Sequence, residues 1–208
     1  MQDPRQQLVA GGYDAMAERY LDWSGRVVDP TRDRLFDRLV ATLPDRARVL
    51  DLGCGAGVPW TRRLAARFDV VGVDISETQV RLARQNVPAA SFMVADIAAL
   101  DLAPGSLDAV TAFYCVSHLP RDRHADLLRR IAVWLEPGGL LLATLGASDI
   151  PGWTGEWLGV PMFFSAYDAD TNRSAVRDAG FELLADEVAE VGEPEGTVSF
   201  LWVLARKK

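Results

Sequence analysis

Cysteine, histidine and lysine are scarce in this chain, and each shortage narrows what it can be. The two cysteines, Cys54 and Cys115, sit in glycine-rich or apolar stretches, so a disulfide framework is unsupported and a reducing cytoplasm is the expected location. Lys207 and Lys208 are the only lysines; 22 basic against 29 acidic side chains leave a net charge of −7. Nucleic-acid binding requires many neutralised phosphates, which an acidic chain with scattered arginines supplies poorly. A small-molecule partner is expected instead. No apolar run approaches the roughly eighteen residues of a membrane span, and Met1 to Ala10 lacks the basic-then-apolar layout of a signal peptide. No membrane partner is expected. Repeats are missing too, and no pattern specifies an oligomeric state. What remains is a globular mix, 49% hydrophobic and 25% charged over 208 residues, enough for one domain with a full core.

The first forty residues carry helical spacing, through Tyr13, Met16, Ala17 and Tyr20 and then Leu35, Phe36, Leu39 and Val40, broken by Ser24-Gly25 and Asp29-Pro30. From Arg48 onward, short apolar runs alternate with amphipathic stretches. The runs are Val49 to Leu52, Val70 to Val73, Ser91 to Val94, Ala109 to Tyr114 and Leu140 to Leu145. Such alternation predicts an α/β fold with a parallel sheet covered on both faces. After a helix over Asp170 to Ala179, Phe181 to Val191 and Val198 to Ala205 flank Glu193-Pro194-Glu195-Gly196. That gap is too short for a helix, so an antiparallel hairpin is predicted.

Asp51-Leu52-Gly53-Cys54-Gly55-Ala56-Gly57 follows the first strand and precedes a helix. Glycines there let the backbone turn sharply and approach a ligand at the helix N-terminus. The spacing is G-x-G-x-G, where dinucleotide binders usually show G-x-G-x-x-G. Asp74 closes the second strand, where a carboxylate can accept ribose hydroxyls; Asp96 ends the third, where it can accept an adenine amino group with Ile97 against the ring.

These motifs, with Asp108 to Pro120, Leu135 to Gly139 and the Tyr13-Asp14-Ala15-Met16-Ala17-Glu18-Arg19-Tyr20 helix, resemble class I S-adenosylmethionine-dependent methyltransferases. The likeness is to the small-molecule branch of ubiquinone and menaquinone biosynthesis type. It implies a Rossmann-like seven-stranded sheet, mostly parallel with an antiparallel last strand. It also implies an N-terminal helical cover (1–45), a cofactor-binding core (46–146), a lid after the fifth strand (147–170) and a last helix with hairpin (171–208). By the resemblance, Gly53, Gly55 and Gly57 approach the methionine portion of S-adenosylmethionine, and Asp51 and Ile75 are among the cofactor-binding residues. Asp74 takes the ribose, Asp96 and Ile97 the adenine, Phe113 and Tyr114 the region beneath the sulfonium, and Tyr13 and Tyr20 cover the cofactor. The expected reaction is methyl transfer to a small acceptor, at nitrogen or oxygen. The alternatives are a non-catalytic S-adenosylmethionine-binding protein and a nicotinamide-dependent oxidoreductase on a similar sheet.

His118 stands at the carboxyl rim of the fourth strand, and an imidazole titrating near neutrality there is a candidate base or acceptor-orienting group. His124, on a charged helix, is expected at the surface. Cys115-x-x-His118 has no second ligand pair, so no metal is predicted. The lid holds Trp153, Trp157, Phe163, Phe164 and Tyr167, the expected acceptor pocket. Asp149, Glu156, Asp168 and Asp170 accompany them without a lysine or arginine, which favours a neutral or amine-bearing acceptor. Arg19 or Arg26 entering the pocket would reverse that preference. Trp23 and Trp60 fit core, cofactor cover or acceptor contact equally.

Overall fold

The structure, a computed structural model, describes residues 3–208. The polar start read over Met1 to Ala10 thus begins two residues outside the described part. Two helices come first, α1 (Pro4–Ser24) and α2 (Pro30–Thr42), each opened by an aspartate cap and a proline in the first turn. The alternating core follows: β1 (Arg48–Leu52), α3 (Trp60–Ala65), β2 (Asp69–Asp74), α4 (Glu77–Asn86), β3 (Ser91–Val94), β4 (Leu107–Ala112), α5 (His124–Trp134) and β5 (Leu135–Gly146). Then come β6 (Ile150–Trp157), β7 (Val160–Ala166), α6 (Ala169–Asp178), β8 (Phe181–Glu193) and β9 (Gly196–Lys207).

Seven strands form one sheet in the order β3-β2-β1-β4-β5-β9-β8. The first five pair in parallel, and β9 runs antiparallel to both β5 and β8. This is the Rossmann-like sheet with an antiparallel last strand that the sequence predicts. Its two faces are packed separately. On one, Leu50, Val110, Leu141 and Val203 meet Leu127, Leu128 and Ile131 of α5 and Val176 of α6. On the other, Val49, Ala109, Leu142 and Trp202 meet Leu35, Phe36 and Leu39 of α2 and Leu64 of α3. Strands buried on both faces explain the near-continuous apolar runs.

The lid is a two-stranded hairpin, β6 with β7, rather than an irregular insertion. Its turn, Leu158-Gly159, places both residues at positive φ, 49° and 75°, the twist that suits a two-residue hairpin. The hairpin packs on α1 through Val160, Met162 and Phe163 against Val9 and Met16. Among the described residues, no helix is long and apolar enough to cross a membrane.

Candidate active site

β1 and β4 are neighbours whose onward connections lead to opposite sides, so a crevice opens at their carboxyl ends. Two adjoining cavities fill it. The larger, about 980 Å³ including space open to solvent, meets Asp51, Gly53, Gly55, Phe113, Tyr114 and His118. The smaller meets Asp74, Ile75, Ile97, Gly53, Gly55 and His118, and Tyr13 and Tyr20 cover both.

The three glycines serve different ends. All have positive φ, 66°, 52° and 77° for Gly53, Gly55 and Gly57. A Cβ on Gly53 would lie 2.4 Å from the Cβ of Cys115, and one on Gly57 3.0 Å from Val87. Both are packing glycines, and Gly57 lines neither cavity. A Cβ on Gly55 would meet only Gln79 Oε1, at 3.9 Å.

Two buried carboxylates flank this turn without a cationic partner among the described residues. Asp51 is 3% exposed and accepts hydrogen bonds from the hydroxyls of Thr61 (2.5 Å) and Thr111 (2.7 Å). Burial outweighs those bonds and pushes its carboxyl up to about 6. Asp74 accepts the Gly55 N–H at 2.9 Å and the Ser76 N–H at 3.0 Å, one on each oxygen. Burial raises it too, against those backbone bonds. One lone pair per Asp74 oxygen remains for a ligand. Asp96 takes another course: its Oδ1 accepts the Ala98 N–H at 2.8 Å in a local turn, and it lines neither cavity.

His118 is buried and fully engaged. Nδ1 donates to the Phe163 carbonyl at 3.0 Å, leaving Nε2 to accept the Tyr13 hydroxyl at 2.8 Å. Desolvation pushes the ring down to about 4, so it is neutral at physiological pH and does not titrate near neutrality as expected. One chain of hydrogen bonds thus ties cover helix, rim and lid. His124 is also buried, contrary to expectation, because its Nε2 donates to the Leu119 carbonyl at 3.1 Å. Cys115 Sγ donates to the Leu52 carbonyl at 3.3 Å, and burial raises its thiol well above the usual range, which makes it an unreactive packing group.

The lid aromatics divide. Trp157 and Phe164 line the larger cavity. Phe163 is buried against α1, Trp153 is 43% exposed, and Tyr167 packs on His124 and under Arg121. None of the four lid acids reaches the cavity. Asp149 pairs with Arg121 at 2.6 Å, Asp168 caps α6, Asp170 pairs with Arg173 at 2.8 Å, and Glu156 is exposed. Arg26 pairs with Asp22, and Arg19 lies over the Gly159 turn. Contrary to expectation, the lid's acids therefore set no charge preference in the cavity, because their side chains lie outside it.

Several lining residues escaped the sequence reading. Arg32 contributes the one guanidinium among the lining residues, stacked 4.4 Å over Trp60 and beside the Tyr114 hydroxyl. Asp29 lies beneath it, accepting Tyr114 Oη–H at 2.6 Å and Trp202 Nε1–H at 2.8 Å. Gln79 is fully buried, lines the larger cavity, and has neither amide atom hydrogen-bonded. Glu193 and Phe200 reach in from the C-terminal hairpin. Only the Asp29-Pro30 cap signal and the Glu193-Pro194-Glu195-Gly196 turn pointed near any of them, and neither pointed to the cavity.

This donor set fits S-adenosylmethionine, which carries two cations and one carboxylate. Asp51 and the Arg32 guanidinium suit its charges, the Asp74 lone pairs suit its hydroxyls, and the orphaned Gln79 amide offers a donor and an acceptor.

Residues 49–139 match a protein-family profile described as a methyltransferase domain. The chain is 31% identical to 27-O-demethylrifamycin SV methyltransferase of Amycolatopsis mediterranei over 93% of its own length and 68% of that protein's. It is 38% identical to trans-aconitate 2-methyltransferase of Variovorax paradoxus, over 58% of this chain and 49% of that one, so it spans about half of that relative. In fold it is similar to magnesium protoporphyrin IX methyltransferase of Synechocystis, solved with bound S-adenosylmethionine. There the TM-score is 0.75 at 20% identity, covering 100% of this chain and 99% of that one.

Proposed function

The chain belongs to the class I S-adenosylmethionine-dependent methyltransferases, and on that premise we propose that it methylates a nitrogen or oxygen of a small organic acceptor. When bound, the cofactor supplies a methyl group on a sulfonium, a good leaving group, for in-line displacement. The chain's own part is to bind, orient and exclude water. Asp74 offers its free lone pairs to the ribose hydroxyls, between Ile75 and Ile97. The Gln79 amide serves the same stretch of ligand beside Gly55. Asp51 supplies negative potential for the ammonium and sulfonium, and Arg32, at the Trp60 end, takes the carboxylate. Phe113 and Tyr114 line the space where methyl and acceptor meet.

His118 acts here as a positioning residue. It fixes the Tyr13 hydroxyl over the cavity and, through Phe163, holds the lid. Trp157 and Phe164 complete the apolar wall that keeps water out. The names of the relatives, a rifamycin methyltransferase and a trans-aconitate methyltransferase, support a small organic acceptor without favouring one acceptor chemistry. Free cysteines at Cys54 and Cys115 support a cytoplasmic enzyme.

The observation that carries this reading is the pair of buried, cation-free carboxylates, Asp51 and Asp74, on either side of the glycine turn. A calorimetric titration with S-adenosylmethionine, followed by an acceptor screen read by release of S-adenosylhomocysteine, tests it. Saturable binding with turnover supports it; binding of a nicotinamide dinucleotide instead would overturn it.

A further inference from the structure

Glu193, the last residue of β8, lines the larger cavity. Its carboxylate is half-buried and, among the described residues, takes no hydrogen bond and pairs with no cation. Three rings that line the same cavity pack on one another. Tyr20 and Trp23 stack at 5.9 Å, and Trp157 meets Trp23 edge-on at 5.2 Å and Tyr20 at 6.0 Å. Glu193 is close enough for its charge to raise the Tyr20 hydroxyl, an effect added to that of burial. The neighbouring acid Glu195 is held by the Trp23 indole N–H at 2.7 Å, which fixes that ring against the hairpin. Burial and Glu195 both push the Glu193 carboxyl up, and no positive group pulls it down.

An unpaired acid among aromatic faces is costly in the free protein and favourable once a cation arrives. Arg32 does not fill that role, since it lies over Trp60 beside the glycine loop. We propose that this recess is a subsite for a cationic amine group of the methyl acceptor, with Glu193 as counter-ion and Tyr20, Trp23 and Trp157 as its walls. The inference rests on the methyl-transfer reading of the same cavity and adds the acceptor's class to it: an amine-bearing molecule, selected over an acid of the same skeleton. The groups that carry this selection lie in the C-terminal hairpin, the end of α1 and Trp157 rather than in the lid's carboxylates.

The test loads the protein with S-adenosylhomocysteine, whose sulfur is neutral, and titrates it calorimetrically with two probes of one shape. Choline carries a quaternary ammonium; 3,3-dimethylbutan-1-ol replaces it with a neutral tert-butyl group. Choline should bind saturably and about tenfold tighter than the alcohol. Glu193→Gln should remove most of that difference while leaving S-adenosylhomocysteine affinity within about twofold. Trp23→Leu, which keeps the carboxylate, should also weaken choline. Equal binding of the two probes, no choline binding, or a choline affinity indifferent to Glu193→Gln would overturn the subsite and leave the cofactor site standing. Failure of S-adenosylhomocysteine itself to bind would instead overturn the methyl-transfer reading, and the subsite with it.

Discussion

The glycine-loop side of the cavity and its lid side differ in how far apart in sequence their partners lie. On the loop side, Thr61 reaches Asp51 across 10 residues and Gly55 reaches Asp74 across 19. On the side closed by the N-terminal segment, the lid and the C-terminal hairpin, Tyr13 meets His118 across 105 residues, Trp23 meets Glu195 across 172 and Trp202 meets Asp29 across 173. Bonds spanning 60 residues or fewer, most of them within one βαβ unit, fix the two acids of the cofactor's cradle. The acceptor's surroundings exist only once both chain ends have closed over it. One expects the first to be common to many acceptors and the second to select among them.

The largest expected effect lies in the long-range set. Asp29→Ala removes the N-cap of α2 and strands two buried donors, Tyr114 Oη–H and Trp202 Nε1–H. Urea unfolding should show a loss of about 3 to 5 kcal/mol. A loss under about 1 kcal/mol would show that the lid side tolerates disconnection, against the comparison. Asp74→Ala comes next, on the loop side. It takes the ribose acceptor and frees the Gly55 and Ser76 N–H groups, so S-adenosylmethionine affinity should fall about tenfold to a hundredfold by calorimetry, with the fold intact. Unchanged affinity would reduce Asp74 to a turn residue.

Tyr13→Phe and His118→Ala should each lower turnover several-fold, and the double variant should be little worse than either, because the two side chains share one hydrogen bond. Additive losses would separate them. His118 also makes stability depend on pH. Its folded value, about 4, lies below the ordinary 6.5, so the unfolded chain takes up the proton first on acidification. Its contribution is therefore present above pH 6.5 and lost as the pH falls towards 4, on the order of 3 kcal/mol in all. Asp51 has the opposite sign: with its carboxyl raised to about 6, the folded chain gains relative stability as the pH falls from 6 towards 3.8. Denaturation of wild type and His118→Ala across pH 4 to 7 isolates the histidine part. The gap between them should narrow on acidification, and a constant gap would count against a neutral, buried ring. Smallest of all, Trp153→Ala should change stability by less than about 0.5 kcal/mol and turnover hardly at all, since the ring is 43% exposed and outside the cavity. A large loss of turnover would bring that ring into the acceptor's path.

Legibility in the sequence followed the same division. The sheet and its antiparallel end were readable because strand period and turn residues are local signals, as are the glycines and Asp74 at a strand end. The lid hairpin was not, since its turn places Leu158, rather than asparagine or aspartate, before Gly159 at positive φ. His118 was found at the rim, but its protonation state depends on the Phe163 carbonyl, 45 residues away. Arg32 looked like any arginine of an amphipathic helix, and Glu193 like a hairpin acid. Their place in the cavity comes from α2 and β8 meeting at the crevice, which no window of sequence displays.

Buried acids around the glycine turn, Asp51 above all, would hold a cationic cofactor. Calorimetric titration of the wild type with S-adenosylmethionine, run at pH 5.5 and 7.5 in buffers of different ionisation enthalpy, tests it most directly. With Asp51 raised to about 6, binding at pH 5.5 should be weaker and should release protons, whereas at pH 7.5 it should be tighter with little release. Asp51→Asn should flatten that difference. Equal affinity at both pH values without proton release, or no binding at either, would contradict the account.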